Sequence, residues 1–77
     1  MVKLTVKIDT VVDAKKFVTI CNLAEFDIDL ISGRYIVDAK SIMGLFSLDL
    51  SKPIQLRADC DADNDFLRRF DPFVIDD

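Results

Sequence analysis

The chain has 77 residues, 51% hydrophobic and 31% charged, with 14 acidic against 10 basic side chains and a net charge of −4. A chain this short builds a single core, burying roughly 60% of the surface it exposes when unfolded, and its hydrophobicity takes it out of the disordered class. The acidic balance argues against nucleic acid, whose binders carry a basic stripe that releases phosphate counterions. The apolar runs Phe73-Val74-Ile75 and Tyr35-Ile36-Val37 are too short to cross a membrane.

Val2, Leu4, Val6 and Ile8 alternate with Lys3, Thr5 and Lys7, the period of a strand with one face buried. Ala14, Phe17, Val18 and Cys21 then recur at helical spacing, with Lys15, Lys16, Thr19 and Asn22 on the other side. Thr10 or Asp13 caps this helix, and Asp13 also suits the positive end of its dipole. Phe26, Ile28 and Leu30 alternate with Asp27 and Asp29 in a second strand. Ser32-Gly33 marks a tight turn, and Arg34-Tyr35-Ile36-Val37 completes a hairpin as the third strand.

Ser41 occupies an N-cap position before Ile42-Met43-Gly44-Leu45-Phe46-Ser47-Leu48, a short helical stretch. Pro53 opens a fourth strand, in which Ile54, Leu56 and Ala58 alternate with Gln55, Arg57 and Asp59. Asp61-Ala62-Asp63-Asn64 offers caps for a last helix bearing Phe66, Leu67 and Phe70, which Pro72 ends near Phe70. The order is β-α-β-β-α-β-α, an α+β arrangement with a four-stranded antiparallel sheet and helices on one face.

Cys21 and Cys60 are too few for the disulfide framework of a small secreted domain and lack metal-ligand spacing. Cys21 falls on the apolar stripe of the first helix, where a thiol is inert; Cys60, near a strand end, is expected to be more exposed. The chain contains no histidine, which excludes imidazole catalysis and histidine-ligated zinc. No nucleophile-base pair or phosphate-cradling glycine loop stands out, so no enzyme, metal or cofactor is expected. Met1-Val2-Lys3-Leu4-Thr5-Val6-Lys7 lacks the continuous apolar stretch of a signal peptide, and the expected location is cytoplasmic.

The segment Ala39-Lys40-Ser41-Ile42-Met43-Gly44-Leu45-Phe46-Ser47-Leu48 resembles the second-helix region of HPr, the histidine-containing phosphocarrier of the bacterial sugar phosphotransferase system. The family motif reads K-S-I-M-G-V-M-S-L, and the departures at Leu45 and Phe46 stay apolar. The element order agrees, so the resemblance implies one HPr-like open-faced β-sandwich over residues 1–77. HPr carries phosphate on a histidine at the start of its first helix, in the context G-I-H-A-R-P. Counting back from Ser41 without gaps puts Thr10 at the histidine and Val12 at the arginine; aligning the apolar stripe puts Val12 and Ala14 there. Neither register supplies a nucleophilic nitrogen with a cation beside it, so histidine phosphoryl carriage is expected to be lost.

The resemblance implies two further roles. The serine at the position of Ser41 is phosphorylated in some bacteria by a dedicated kinase, which turns carrier into regulator; the same residue serves equally as a plain helix cap. The surface corresponding to Ile42, Met43 and Phe46 docks partner proteins, with Val11, Val12, Lys15 and Lys16 at its edge. The expected function is a regulatory or protein-interaction module related to the phosphotransferase system, whose partners include an HPr-type serine kinase or a transcriptional regulator. The alternative is a degenerate paralogue with a structural role, in which the apolar patch and the tail after Pro72 serve self-association as a homodimer.

Overall fold

The opening alternation becomes strand β1 (Val2–Val6) in the computed structural model, which describes residues 1–75. Helix α1 (Val11–Leu23) follows. Of the two candidate caps Thr10 serves, its Oγ1 accepting from the Asp13 N–H at 3.0 Å, while Asp13 lies in the first turn near the positive end of the dipole. The stripe Ala14, Phe17, Val18 and Cys21 is buried as its spacing requires. Strands β2 (Ile28–Ser32) and β3 (Tyr35–Asp38) form the hairpin around Gly33-Arg34. Gly33 has φ +59° and Arg34 does not turn positive, the combination of a type II′ turn, whose right-handed twist suits the flanking strands.

Helix α2 (Ile42–Phe46) is a single short turn and a half capped by Ser41, and β4 (Ile54–Ala58) begins just after Pro53. The last segment differs from the expected α-helix. Residues Asp65–Phe70 form a 3-10 helix with Asn64 as its cap. Its flanking bonds run over three residues, from Leu67 N–H to the Asn64 carbonyl and from Asp71 N–H to the Arg68 carbonyl, both at 3.1 Å. Rings from elsewhere in the chain hold this segment, Phe26 against Phe66 and Phe17 against Phe70.

The strands pair antiparallel in the order β1-β4-β2-β3. Register sets Leu4, Leu56, Leu30 and Val37 in one row across the sheet, on the face that α1 and α2 cover. The neighbouring row, Lys3, Arg57, Asp29 and Asp38, lies on the opposite face. There Arg57 Nη2 meets Asp29 Oδ2 at 3.0 Å, a cross-strand pair of opposite charge that supports the register. The residues after Pro72 pack on their own chain. Lys7 N–H donates to the Phe73 carbonyl at 2.9 Å, Ile75 N–H to the Thr5 carbonyl at 3.0 Å, and Val74 bridges to Val6. The tail thereby covers the outer edge of β1.

Phe17 joins these parts. Its ring centroid lies 5.4 Å from that of Phe70 and 5.3 Å from that of Phe73, the latter edge-on, and all three rings are buried. A second cluster sets Phe66 edge-on to Phe26 at 5.6 Å, with the Arg69 guanidinium 5.0 Å above the Phe66 ring. Cys21 is fully buried on the α1 stripe, as expected. Burial pushes its thiol from 9.0 up to about 12, partly offset by Lys40 and reinforced by Asp38. Cys60 is half-buried, its thiol also raised by burial.

Two outcomes follow from this packing. Phe17→Ala removes the ring that holds both C-terminal phenylalanines and is expected to cost about 3–5 kcal/mol, read from urea denaturation midpoints at unchanged slope. The Cys21 thiol ionises more readily in the unfolded chain, so its contribution to stability is complete below pH 9.0 and is lost as pH rises towards about 12. An aromatic disulfide reagent at neutral pH should therefore label Cys60 in the folded protein and reach Cys21 only on unfolding. Equal labelling of both in the native state would contradict the buried stripe.

Candidate functional site

Thr10 caps α1, so Val11 and Val12 occupy its first turn, off the stripe that Ala14, Phe17, Val18 and Cys21 turn to the core. They are 59% and 60% exposed. Helix α2 divides its apolar residues in the same way. Leu45 is buried, and Leu48 just after the helix is buried too, while Met43 and Phe46, three residues apart, stand 78% and 43% exposed. Ile42 is half-buried and packs against the core, so it contributes to the outer surface less than its neighbours. Lys15 and Lys16 are exposed one turn along α1.

Ser41 is half-exposed and its Oγ accepts from the Gly44 N–H at 3.1 Å. A Cβ at position 44 would lie 3.3 Å from the Val37 Cβ and 3.4 Å from the Asp38 carbonyl oxygen, so glycine lets α2 sit close over β3. Asp38 also fixes the approach to the cap, its Oδ1 accepting from Lys40 N–H at 2.9 Å. Lys40 Nζ reaches across to the Ala24 carbonyl at 3.2 Å, and Asn22 Nδ2 donates to the Lys40 carbonyl at 3.0 Å. The cap of α2 is thus tied to the C-terminal end of α1.

Val11 and Phe46 line one groove of about 380 Å³, together with Lys7, Thr10, Leu50 and Ser51. Lys7 closes one side of it, donating from Nζ to the Leu50 carbonyl at 3.0 Å and to Asp9 Oδ1 at 2.9 Å. Beside it, the Ser51 hydroxyl and N–H hold the exposed Asp49 carboxyl below its usual range. Val12, Lys15 and Lys16 line a separate depression of about 470 Å³ with Thr19 and Ile20. The structure therefore joins Val11 to Phe46 and Val12 to the two lysines, whereas Ile42 and Met43 line neither hollow. Lys7, Leu50, Ser51 and Ile20 were not anticipated. Leu50 meets Val11 only through folding, across a separation that no local pattern records.

Chemically, this surface offers apolar contacts bordered by ammonium groups and hydroxyls. Among the described residues no polar or charged side chain is buried, and no three cysteine, aspartate or glutamate side chains gather into a metal-binding group. The Thr10 hydroxyl, at the histidine position in the ungapped register, is engaged as the α1 cap. A larger hollow of about 880 Å³ lies elsewhere, at the hairpin end by Arg34, Tyr35, Lys52 and Gln55. It gathers no buried polar group, so size alone does not make it the better site. Among the described residues no helix is long and apolar enough to cross a membrane.

No family model and no curated protein matches the chain. Solved structures do. HPr-C-His from Thermoanaerobacter tengcongensis is 25% identical, with 94% of this chain and 89% of that one covered at a TM-score of 0.77. The phosphocarrier protein HPr from Bacillus anthracis strain Ames is 24% identical, with 96% of each chain covered at a TM-score of 0.72. The four-stranded antiparallel sheet with its helices on one face is accordingly the open-faced β-sandwich of the HPr phosphocarriers.

Proposed function

We propose that this protein is an HPr-like interaction module, related to the phosphotransferase system, that binds a partner protein through the first turns of α1 and the exposed side of α2 and does not carry phosphate on histidine. The observation that carries this reading is the exposure of four apolar side chains on α1 and α2, Val11 beside Phe46, Val12 beside Lys15 and Lys16, and Met43. Solvent-exposed apolar groups rimmed by charge form contact surfaces, and an unbranched Met side chain adapts to a partner. Acidic side chains on the partner complement the two lysines, which favours rapid encounter. Ile42 supports the surface from its half-buried seat.

Ser41 is the switch in this reading. Its Oγ lies at the N-terminus of α2, within reach of backbone N–H groups and half-exposed to a kinase. A phosphate there gains those donors and adds about two negative charges next to Met43, altering the surface a partner meets. The serine kinase and the transcriptional regulator expected from the resemblance are the partners this chemistry fits. The module acts by binding rather than by catalysis, in the cytoplasm.

Incubation with ATP and an HPr-type serine kinase is expected to add one phosphate to the wild-type protein and none to Ser41→Ala, read by intact mass. The alanine variant loses the cap and about 1 kcal/mol of stability, so its fold is checked by circular dichroism. No phosphate on the folded wild type removes the switch and leaves Ser41 as a cap.

Phe46→Asp tests the docking surface independently, against the kinase or a candidate regulator by calorimetry. The half-exposed ring tolerates replacement, so the variant is expected to fold and to bind at least about tenfold more weakly, the loss of one apolar anchor. Unchanged affinity in a folded Phe46→Asp protein would take the patch out of the binding site.

A further inference from the structure

The two edges of the sheet are treated differently. The outer edge of β1 is closed by the chain's own tail, through the bonds of Lys7 N–H to Phe73 and of Ile75 N–H to Thr5. Strand β3 pairs with β2 alone, and among the described residues no strand lies along its far side, where only the Asp38 carbonyl is taken, by the Ser41 N–H at 3.1 Å. Ala39 N–H donates to the Ile28 carbonyl, which fixes the phase of this ladder. Tyr35 and Val37 therefore turn their backbone groups to β2, and Ile36 turns its N–H and C=O outward. The edge is also apolar, Tyr35 being 70% and Ile36 59% exposed. A free edge with exposed apolar side chains is a template for another strand.

The residues along β3 suit a second copy of the same strand. Antiparallel pairing centred on Ile36 sets Ile36 opposite the partner's Ile36 and Tyr35 opposite the partner's Val37. It also sets Arg34 opposite the partner's Asp38, twice by symmetry. Each Ile36 N–H then donates to the other Ile36 carbonyl. Opposite charges and aromatic to β-branched contacts are the favourable cross-strand pairs. Centring on any other residue of β3 would break the Arg34–Asp38 match. We propose that two copies of this chain associate through their β3 edges, in this register, to form one continuous eight-stranded sheet about a two-fold axis.

The proposal goes beyond the docking function and uses other side chains, Arg34, Tyr35 and Ile36, together with Asp38, which also accepts from Lys40 N–H before the α2 cap. An edge this short buries far less than the roughly 1,600 Å² of a standard interface, so the dimer exchanges rapidly and depends on concentration. The Arg34–Asp38 pairs are exposed and weaken with salt.

Sedimentation velocity at low salt, from micromolar to millimolar protein, should show a monomer converting to a dimer, with the Ile36 amide slowing in hydrogen exchange as it does so. Arg34→Asp and Asp38→Lys each place like charges opposite one another and should each weaken self-association roughly tenfold. An equimolar mixture of the two restores both charge pairs and should recover the dimer as a heterodimer. Circular dichroism confirms that each variant is folded. A wild type that stays monomeric at millimolar concentration would overturn the proposal, as would a dimer in which the Ile36 amide exchanges freely, or folded variants that fail to recover association when mixed.

Discussion

Phe17 projects from the middle of α1 into van der Waals contact with Phe70 and Phe73, and that contact ties the helix to the 3-10 segment and to the tail. It ends the 3-10 segment against the core and holds the tail whose backbone bonds run along the edge of β1. A domain of this size has few such contacts and little stability to spare, so one well-packed aromatic cluster governs much of its architecture. With α1 fixed at Phe17, its first turn is held where Val11 can face Phe46 of α2.

The position of α2 depends on a different constraint, close approach. Gly44 sits over Val37 and the Asp38 carbonyl at distances where a side chain would force a shift. The helix is only five residues long, too short to be stable by itself. Its cap at Ser41, buried Leu45 and the links from Lys40 and Asn22 to α1 hold it in place. The same cap that makes this helix possible places a hydroxyl at its surface. The structural role of Ser41 and the regulatory role proposed for it thus draw on one set of backbone donors, and a phosphate would act on the element that presents Met43 and Phe46.

Strand β3 lies under α2 and forms the open side of the sheet. Its polar ends, Arg34 and Asp38, have opposite sign and stand symmetrically about Ile36. At the far side the tail fills the equivalent place on β1. One edge is satisfied from within the chain, while the other keeps the Ile36 N–H and C=O outward and has only its Asp38 carbonyl bonded, to Ser41 N–H. This asymmetry separates the two proposed surfaces, one across α1 and α2 and one at the sheet edge.

Much of this organisation was legible in the sequence. The alternation of Ile54, Leu56 and Ala58, the stripe from Ala14 to Cys21, the Ser32-Gly33 turn and the Ser41 cap are local patterns, set by side-chain periods and backbone donors that a segment carries wherever it folds. The exposure of Val11, Val12, Met43 and Phe46 followed from the same periods once the buried stripes were identified. The HPr resemblance at residues 39–48 was legible as well, and it agrees with the fold. What local pattern could not supply was the geometry between segments. The choice of a 3-10 over an α-helical ladder at Asp65–Phe70, the return of the tail to β1, and the half-burial of Ile42 were decided by neighbours distant in sequence. So was the groove that joins Lys7, Val11, Phe46 and Leu50. Periodicity tells which face of an element turns inward; only the tertiary structure, through packing volume and unpaired backbone groups, decides which other element it meets.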